Sequence, residues 1–132
     1  MHNPEHEILQ GNNETILLVD DNLDIIETTR YALEMLNYNV LTASNGQEAI
    51  DVFQTQGNID LFLLDVMMPI MGGVEFAEWV LSRKPHAKFI FHTGSDLSNE
   101  LDAFIARYGT RVIIKPSPIL KLSHTIREVL SN

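Results

Sequence analysis

The chain has 132 residues, room for one domain with a core of useful size, and its 45% hydrophobic and 20% charged content is that of an ordinary globular protein. It contains no cysteine, which excludes a disulfide framework, a thiolate zinc site and a cysteine nucleophile, and its net charge of -9 argues against direct nucleic-acid binding, which rests on Lys and Arg neutralising phosphates. No apolar run approaches a membrane span, and the start, Met1 to Glu5, lacks the basic-then-apolar layout of a signal peptide, so a cytoplasmic protein is expected.

Residues 1 to about 13 are polar and without periodicity, and are expected to form a flexible tail or linker, with the domain occupying 14–132. Thr15 to Val19 is a continuous apolar run of strand length. Leu23 to Leu36 carries apolar residues at 23, 26, 33 and 36, a helix with one buried face. Tyr38 to Thr42 reads as a second strand, followed by a helix capped by Ser44 or Asn45 and carrying Ala49, Ile50 and Phe53. Asp60 to Leu64 is a third strand, and the helix holding Val74 to Leu81 must stop before Pro85. Lys88 to Phe91 is a fourth strand. Asp96 is expected to cap a helix bearing Leu97, Leu101, Phe104 and Ile105. Val112 to Ile114 is the fifth strand, and the last helix runs from about Ile119 to Leu130 with Leu122, Ile126, Val129 and Leu130 inward.

Five β-α units in strict alternation, with nearly continuous apolar strands, imply a parallel sheet covered on both faces. The expected fold is a doubly wound α/β domain with the flavodoxin-like strand order 2-1-3-4-5, in three layers. Ligands of such sheets bind beyond the carboxyl ends of the strands at the switch point. The first strand ends in Asp20 and Asp21, the third in Asp65, the fourth in Thr93 and the fifth in Lys115. Singly, each has an ordinary explanation as a cap or loop residue; five at equivalent ends form a cluster. Three converging carboxylates repel unless a proton or a cation joins them. An oxygen-rich site with open positions suits Mg²⁺, a carboxylate can attack phosphorus, and phosphoryl transfer needs chiefly positioning and charge neutralisation.

The segments Leu17–Asn22 (LLVDDN), Asp65–Gly73 (DVMMPIMGG), Thr93-Gly94 and Lys115-Pro116, in this order and at these spacings, resemble the signature of response-regulator receiver domains. The resemblance covers about residues 14 to 130. It implies that Asp65 is the phosphoacceptor, supplied by a histidine kinase or a histidine phosphotransfer domain. Asp21, Asp65 and the Met67 backbone carbonyl would bind Mg²⁺ directly, with Asp20 helping to hold it. Thr93 would be the hydroxyl that moves to the phosphoryl group and Lys115 the lysine that pairs with it, with a cis bond before Pro116. Such a domain is a switch acting on a downstream partner, with a homodimer allowed, and no enzyme beyond its own phosphorylation and dephosphorylation. The family often has Asp or Asn where Gly72 stands and commonly Tyr or Phe where Val112 stands. Met67 and Ser95 occupy positions that tune phosphate lifetime in the family.

Weaker signals have simple explanations. His92 replaces the usual apolar residue before Thr93; it could tune the site through its charge near neutral pH, but is expected to be a histidine satisfied at a strand end. His2 and His6 with Glu5 and Glu7 could bind a metal but read as a solvated tail. Of Met67, Met68 and Met71, one or two should pack beneath their loop. Trp79 faces either solvent or core. The entry Gly11 to Asp20 looks like that of receivers following the kinase core of hybrid histidine kinases. A Mg²⁺-dependent phosphatase of the haloacid-dehalogenase type would need an acid where Met67 lies, and the intact cluster speaks against a docking module that is never phosphorylated.

Overall fold

The structure is a computed structural model that describes residues 6–94 and 98–132. Strands β1 (Thr15–Val19), β2 (Asn39–Ala43), β3 (Leu61–Leu64), β4 (Phe89–Thr93) and β5 (Arg111–Ile114) alternate with helices α1 (Leu23–Met35), α2 (Gly46–Gln56), α3 (Gly73–Leu81), α4 (Asn99–Tyr108) and α5 (Ile119–Leu130). All four strand pairings are parallel and the order is β2-β1-β3-β4-β5, as the alternation predicts.

The central strands β1, β3 and β4 are nearly continuous apolar runs because both their faces are covered, while the edge strands β2 and β5 are partly exposed. Leu17, Val19, Phe62, Leu64, Phe89 and Phe91 face α2, α3 and α4. Ile16, Leu18, Leu61, Leu63, Ile90 and Ile113 face α1 and α5. The first core is aromatic. Phe62 stacks on Phe89 with centroids 5.1 Å apart, and Trp79 meets Phe53 edge-on at 5.5 Å, which settles Trp79 as a half-buried flank of the core. Asn45 rather than Ser44 caps α2, accepting from the Glu48 N–H.

Several boundaries differ from those read in the sequence. Ser98, whose hydroxyl accepts from the Leu101 N–H, caps α4; Asp96, expected there, and Leu97 lie outside the described residues. Leu23 is 69% exposed, because the first turn of α1 projects past the carboxyl edge of the sheet, where no layer covers it. In α5, Leu122 and Ile126 are buried while Val129 and Leu130 are only half-buried. Of the described residues before β1, expected to form a flexible tail or linker, three are held by main-chain hydrogen bonds. Leu9 N–H donates to Ser123 Oγ on α5, Gly11 N–H to the Leu36 carbonyl and Asn13 N–H to the Asn37 carbonyl. Polar composition hides such contacts, because they use main-chain groups. No helix among the described residues is long and apolar enough to cross a membrane.

The start of α3 shows how tightly the loop after β3 is folded. Gly73 N–H donates to the Val66 carbonyl at 3.0 Å, and a Cβ at Gly73 would stand 2.0 Å from the Asp65 carbonyl oxygen. Because that neighbour is backbone, Gly73→Ala must displace the loop that carries Asp65. It is expected to cost about 1–3 kcal/mol in urea unfolding, the usual range for overpacking. An unchanged midpoint would show that the loop yields freely.

Candidate functional site

Each site residue stands where its strand leaves the sheet. β1 and β3 are hydrogen-bonded neighbours at the switch point, so their ends bring Asp20, Asp21 and Asp65 together. One oxygen from each lies within 4.8 Å of the others. Asp65 is fixed by its N–H, which donates to the Val19 carbonyl at 2.8 Å, and its Oδ1 accepts from the Val66 N–H at 2.8 Å. Asp20 is buried, its Oδ1 accepting from the Asn22 N–H at 2.9 Å. Asn22 in turn caps α1 by accepting from the Asp24 and Ile25 N–H groups. Asp21 points outward and is exposed, open to ligands from solvent.

Lys115 arrives from β5. Its N–H donates to the Thr93 carbonyl at 2.8 Å, and its Nζ donates to Asp20 Oδ2 and lies 3.4 Å from Asp65 Oδ2. The Lys115–Pro116 bond is cis. Thr93 is buried at the end of β4. The five residues singled out at the strand ends therefore share one cleft of about 910 Å³, which also takes in Met67. Met67 is 69% exposed, whereas Met68 and Met71 are half-buried against the core.

The electrostatics are unbalanced. Three carboxylates line the cleft against Lys115, its one cation among the described residues, and only Asp20 and Asp65 lie beside the ammonium. Burial pushes the Asp65 carboxyl above the usual carboxylate range; the Lys115 ammonium pulls it down and the Asp20 charge pushes it further up. A hard divalent cation fits this donor set, since oxygen ligands with one member open to water are what Mg²⁺ takes.

Three features were not legible in the sequence. Ile70, in the loop after Asp65, has φ 70° and is 81% exposed, an uncommon conformation for a β-branched residue. Val112 packs half-buried on the α2-α3-α4 side. His92 is 5% exposed and its Nε2 lies 3.1 Å from Ser117 Oγ, but its Nδ1 has no partner among the described residues, so the expected satisfaction is only half met there. His6 is exposed, and His2, Glu5 and Ser95 lie outside the described residues.

A parallel 2-1-3-4-5 sheet with an acidic triad and a lysine at its carboxyl edge defines the class of CheY-like α/β switch domains. A family model described as the response regulator receiver domain matches residues 16–127, and the chain belongs to that family. It is 31% identical over 127 residues to the autoinducer 1 sensor kinase/phosphatase LuxN of Vibrio campbellii, covering 92% of this chain and 15% of that protein. It is 37% identical over 84 residues to the transcriptional regulatory protein PhoP of Bacillus subtilis, covering 64% of this chain and 35% of the relative. The chain thus spans well under two thirds of these relatives. A CheY-like receiver domain from Methanospirillum hungatei superposes with a TM-score of 0.82 at 30% identity, over 91% of this chain and 95% of the other. TrrA of Thermotoga maritima, solved in complex with Mg(2+)-BeF, gives 0.76 at 29% identity over 88% and 98%.

Burial lowers the pKa of His92 from 6.5 to about 4, helped by repulsion from Lys115. The unfolded chain therefore binds a proton near pH 6.5 that the folded protein refuses until about pH 4, and stability falls as pH drops through that window. Its limiting slope is about 1.4 kcal/mol per pH unit. Asp65 works in the opposite direction, since its raised pKa favours the folded state as pH falls. Urea unfolding of wild type and His92→Leu at pH 7, 6 and 5, in chelator, should show the wild type losing more stability than the variant. Parallel losses would place the His92 proton elsewhere.

Proposed function

We propose that this chain is the phosphoacceptor module of a two-component relay, taking a phosphoryl group from a phosphohistidine onto Asp65 with Mg²⁺. The observation that carries this reading is the convergence of Asp20, Asp21 and Asp65, two of which lie against the Lys115 ammonium. The donor is a histidine kinase or a histidine phosphotransfer domain. The receiver domain occupies 14–132, with residues 1–13 as an N-terminal tail or linker. The likeness to LuxN favours a setting within a hybrid kinase, and the protein's role is regulatory rather than enzymatic, in the cytoplasm. The phosphatase alternative lacks its acid, since Met67 stands two residues after Asp65.

Asp65 must be ionised to act as nucleophile. A carboxylate oxygen attacks phosphorus, the P–N bond of the donor breaks, and the electron pair leaves with the imidazole. The Val66 N–H holds Oδ1 and leaves Oδ2 on the side of Lys115. Asp21, Asp65 and the Met67 carbonyl would hold the metal, with Asp20 supporting it, and Mg²⁺ would supply the charge that draws phosphoryl oxygens into an acidic cleft. Lys115, now shared by Asp20 and Asp65, neutralises charge that arrives with the phosphoryl group. Thr93 lies at the end of β4, from which its hydroxyl moves to the same oxygens. Val112 has no ring to turn and is stiff about its one torsion, so the switch works through the segment after Thr93 and through α4.

With acetyl phosphate and Mg²⁺ the P–O bond breaks instead, acetate leaves, and intact-mass spectrometry should show one added phosphoryl group. Asp65→Asn should abolish it; undiminished labelling of that variant would refute the assignment. For the metal, Asp21→Ala should weaken Mg²⁺ binding more than Asp20→Ala in an NMR titration. If neither variant alters the affinity, the ion binds elsewhere.

A further inference from the structure

His92 is a costly choice for its place. It is the second-last residue of β4, on the face turned to α1 and α5, the face that Ile90 and Ile113 cover with hydrocarbon. A buried polar atom left unpaired is costly, and among the described residues Nδ1 has no partner. Leucine or valine at this strand position would avoid that cost, so the imidazole needs a reason beyond filling space.

The reason lies in what it touches. The turn Lys115-Pro116-Ser117 carries the only ammonium lining the site among the described residues, and it is tied to β4 in two places. One tie is main-chain, from the Lys115 N–H to the Thr93 carbonyl. The other is the 3.1 Å hydrogen bond between His92 Nε2 and Ser117 Oγ. Between them stands Pro116, which has no N–H to offer. Packing gives this turn little support from below. The open cleft of about 910 Å³ continues from the acidic cluster between α1 and α5, past Ser117, along Ile25, Thr29, Ala32 and Leu122. A turn beside open space has to be braced by its bonds.

We infer that His92 is a positioning residue. Through Ser117 it clamps the turn after β5, so that the Lys115 ammonium is held against Asp20 and Asp65 before any phosphoryl group arrives. The role requires an uncharged imidazole, because an imidazolium beside Lys115 would repel the ammonium it serves; burial keeps the ring neutral at physiological pH. The pair escapes sequence reading because its members lie 25 residues apart and neither belongs to the strand-end cluster. This inference rests on the proposed role of Asp65 as phosphoacceptor and adds to it.

The test compares wild type, His92→Leu, Ser117→Ala, Ser117→Thr and the His92→Leu/Ser117→Ala double variant. Each is assayed for the rate of labelling by acetyl phosphate, Mg²⁺ affinity and thermal unfolding. His92→Leu and Ser117→Ala should each slow labelling about tenfold, within the range that small misplacements cause, with Mg²⁺ affinity unchanged. His92→Leu should unfold no earlier than wild type at neutral pH. The double variant should be no slower than either single one, and Ser117→Thr, which keeps an Oγ, should recover most of the rate. Independently of activity, the imidazole ¹⁵N spectrum should show neutral His92 at pH 7, with its Nε2 resonance displaced in Ser117→Ala. Should His92→Leu fail to fold, Ser117→Ala, which removes only a half-buried hydroxyl, decides the matter by rate and spectrum. Labelling of folded His92→Leu or Ser117→Ala at the wild-type rate overturns the clamp while leaving Asp65 as phosphoacceptor. Losses that multiply in the double variant overturn it as well. If wild type takes no phosphoryl group on Asp65, the proposed function fails and the clamp fails with it.

Discussion

Three carboxylates and one ammonium share the carboxyl edge of this sheet, and the rest of the molecule is organised around that imbalance. Asp20 and Lys115 are nearly buried, so their attraction acts in a medium where charges are felt strongly. Yet a single cation cannot satisfy Asp20, Asp65 and Asp21 together. Such a cluster is costly to assemble and gains stabilisation whenever positive charge enters or the negative charge is redistributed. That is the physical requirement of the proposed function, in which the site accepts a cation and then a phosphoryl group.

The fold meets the cost by making the cluster a consequence of topology. Parallel strands end at one edge, and the switch in strand order places β1 beside β3 with β4 and β5 following. The side chains that matter extend from the last residues of buried strands, whose positions are set by two packed hydrophobic layers. Asp65 is held by a main-chain bond to Val19, Lys115 by one to Thr93, and Asp20 by its bond from the Asn22 N–H. Rigid anchoring of this kind lets charge neutralisation act without rearranging the carboxylates first. The loops that must respond lie beyond the anchors, and Ile70, exposed and in the left-handed region, marks one place where the backbone already carries strain.

Much of this was legible in the sequence, for identifiable reasons. Continuous runs such as Leu61–Leu64 can only be strands buried on both faces, and the polar residue ending each run marks the edge where ligands bind. Five such runs alternating with amphipathic stretches fix both the layers and the identity of the strand-end residues. What stayed hidden depends on pairs far apart in the chain. The His92–Ser117 contact, the docking of Leu9 on Ser123 and the preference of Lys115 for Asp20 follow from three-dimensional neighbours that no periodicity encodes. Local alternatives also defeat pattern reading. Ser98 rather than Asp96 caps α4, and Leu23 begins an amphipathic helix while lying outside its buried face. Val112, at the family's aromatic position, packs against the α2-α3-α4 core without changing the fold.

The central claim is that Lys115 is poised between two carboxylates for a charge that comes later. A crystal structure of the protein with Mg²⁺ and beryllofluoride tests it most directly, because the fluoride adduct mimics the phosphoryl group. The account predicts the adduct on Asp65, the metal among Asp21, Asp65 and the Met67 carbonyl, and the Lys115 ammonium moved from Asp20 onto a fluorine. An adduct on Asp65 with Lys115 still bonded to Asp20, or no adduct on Asp65 at all, would contradict it.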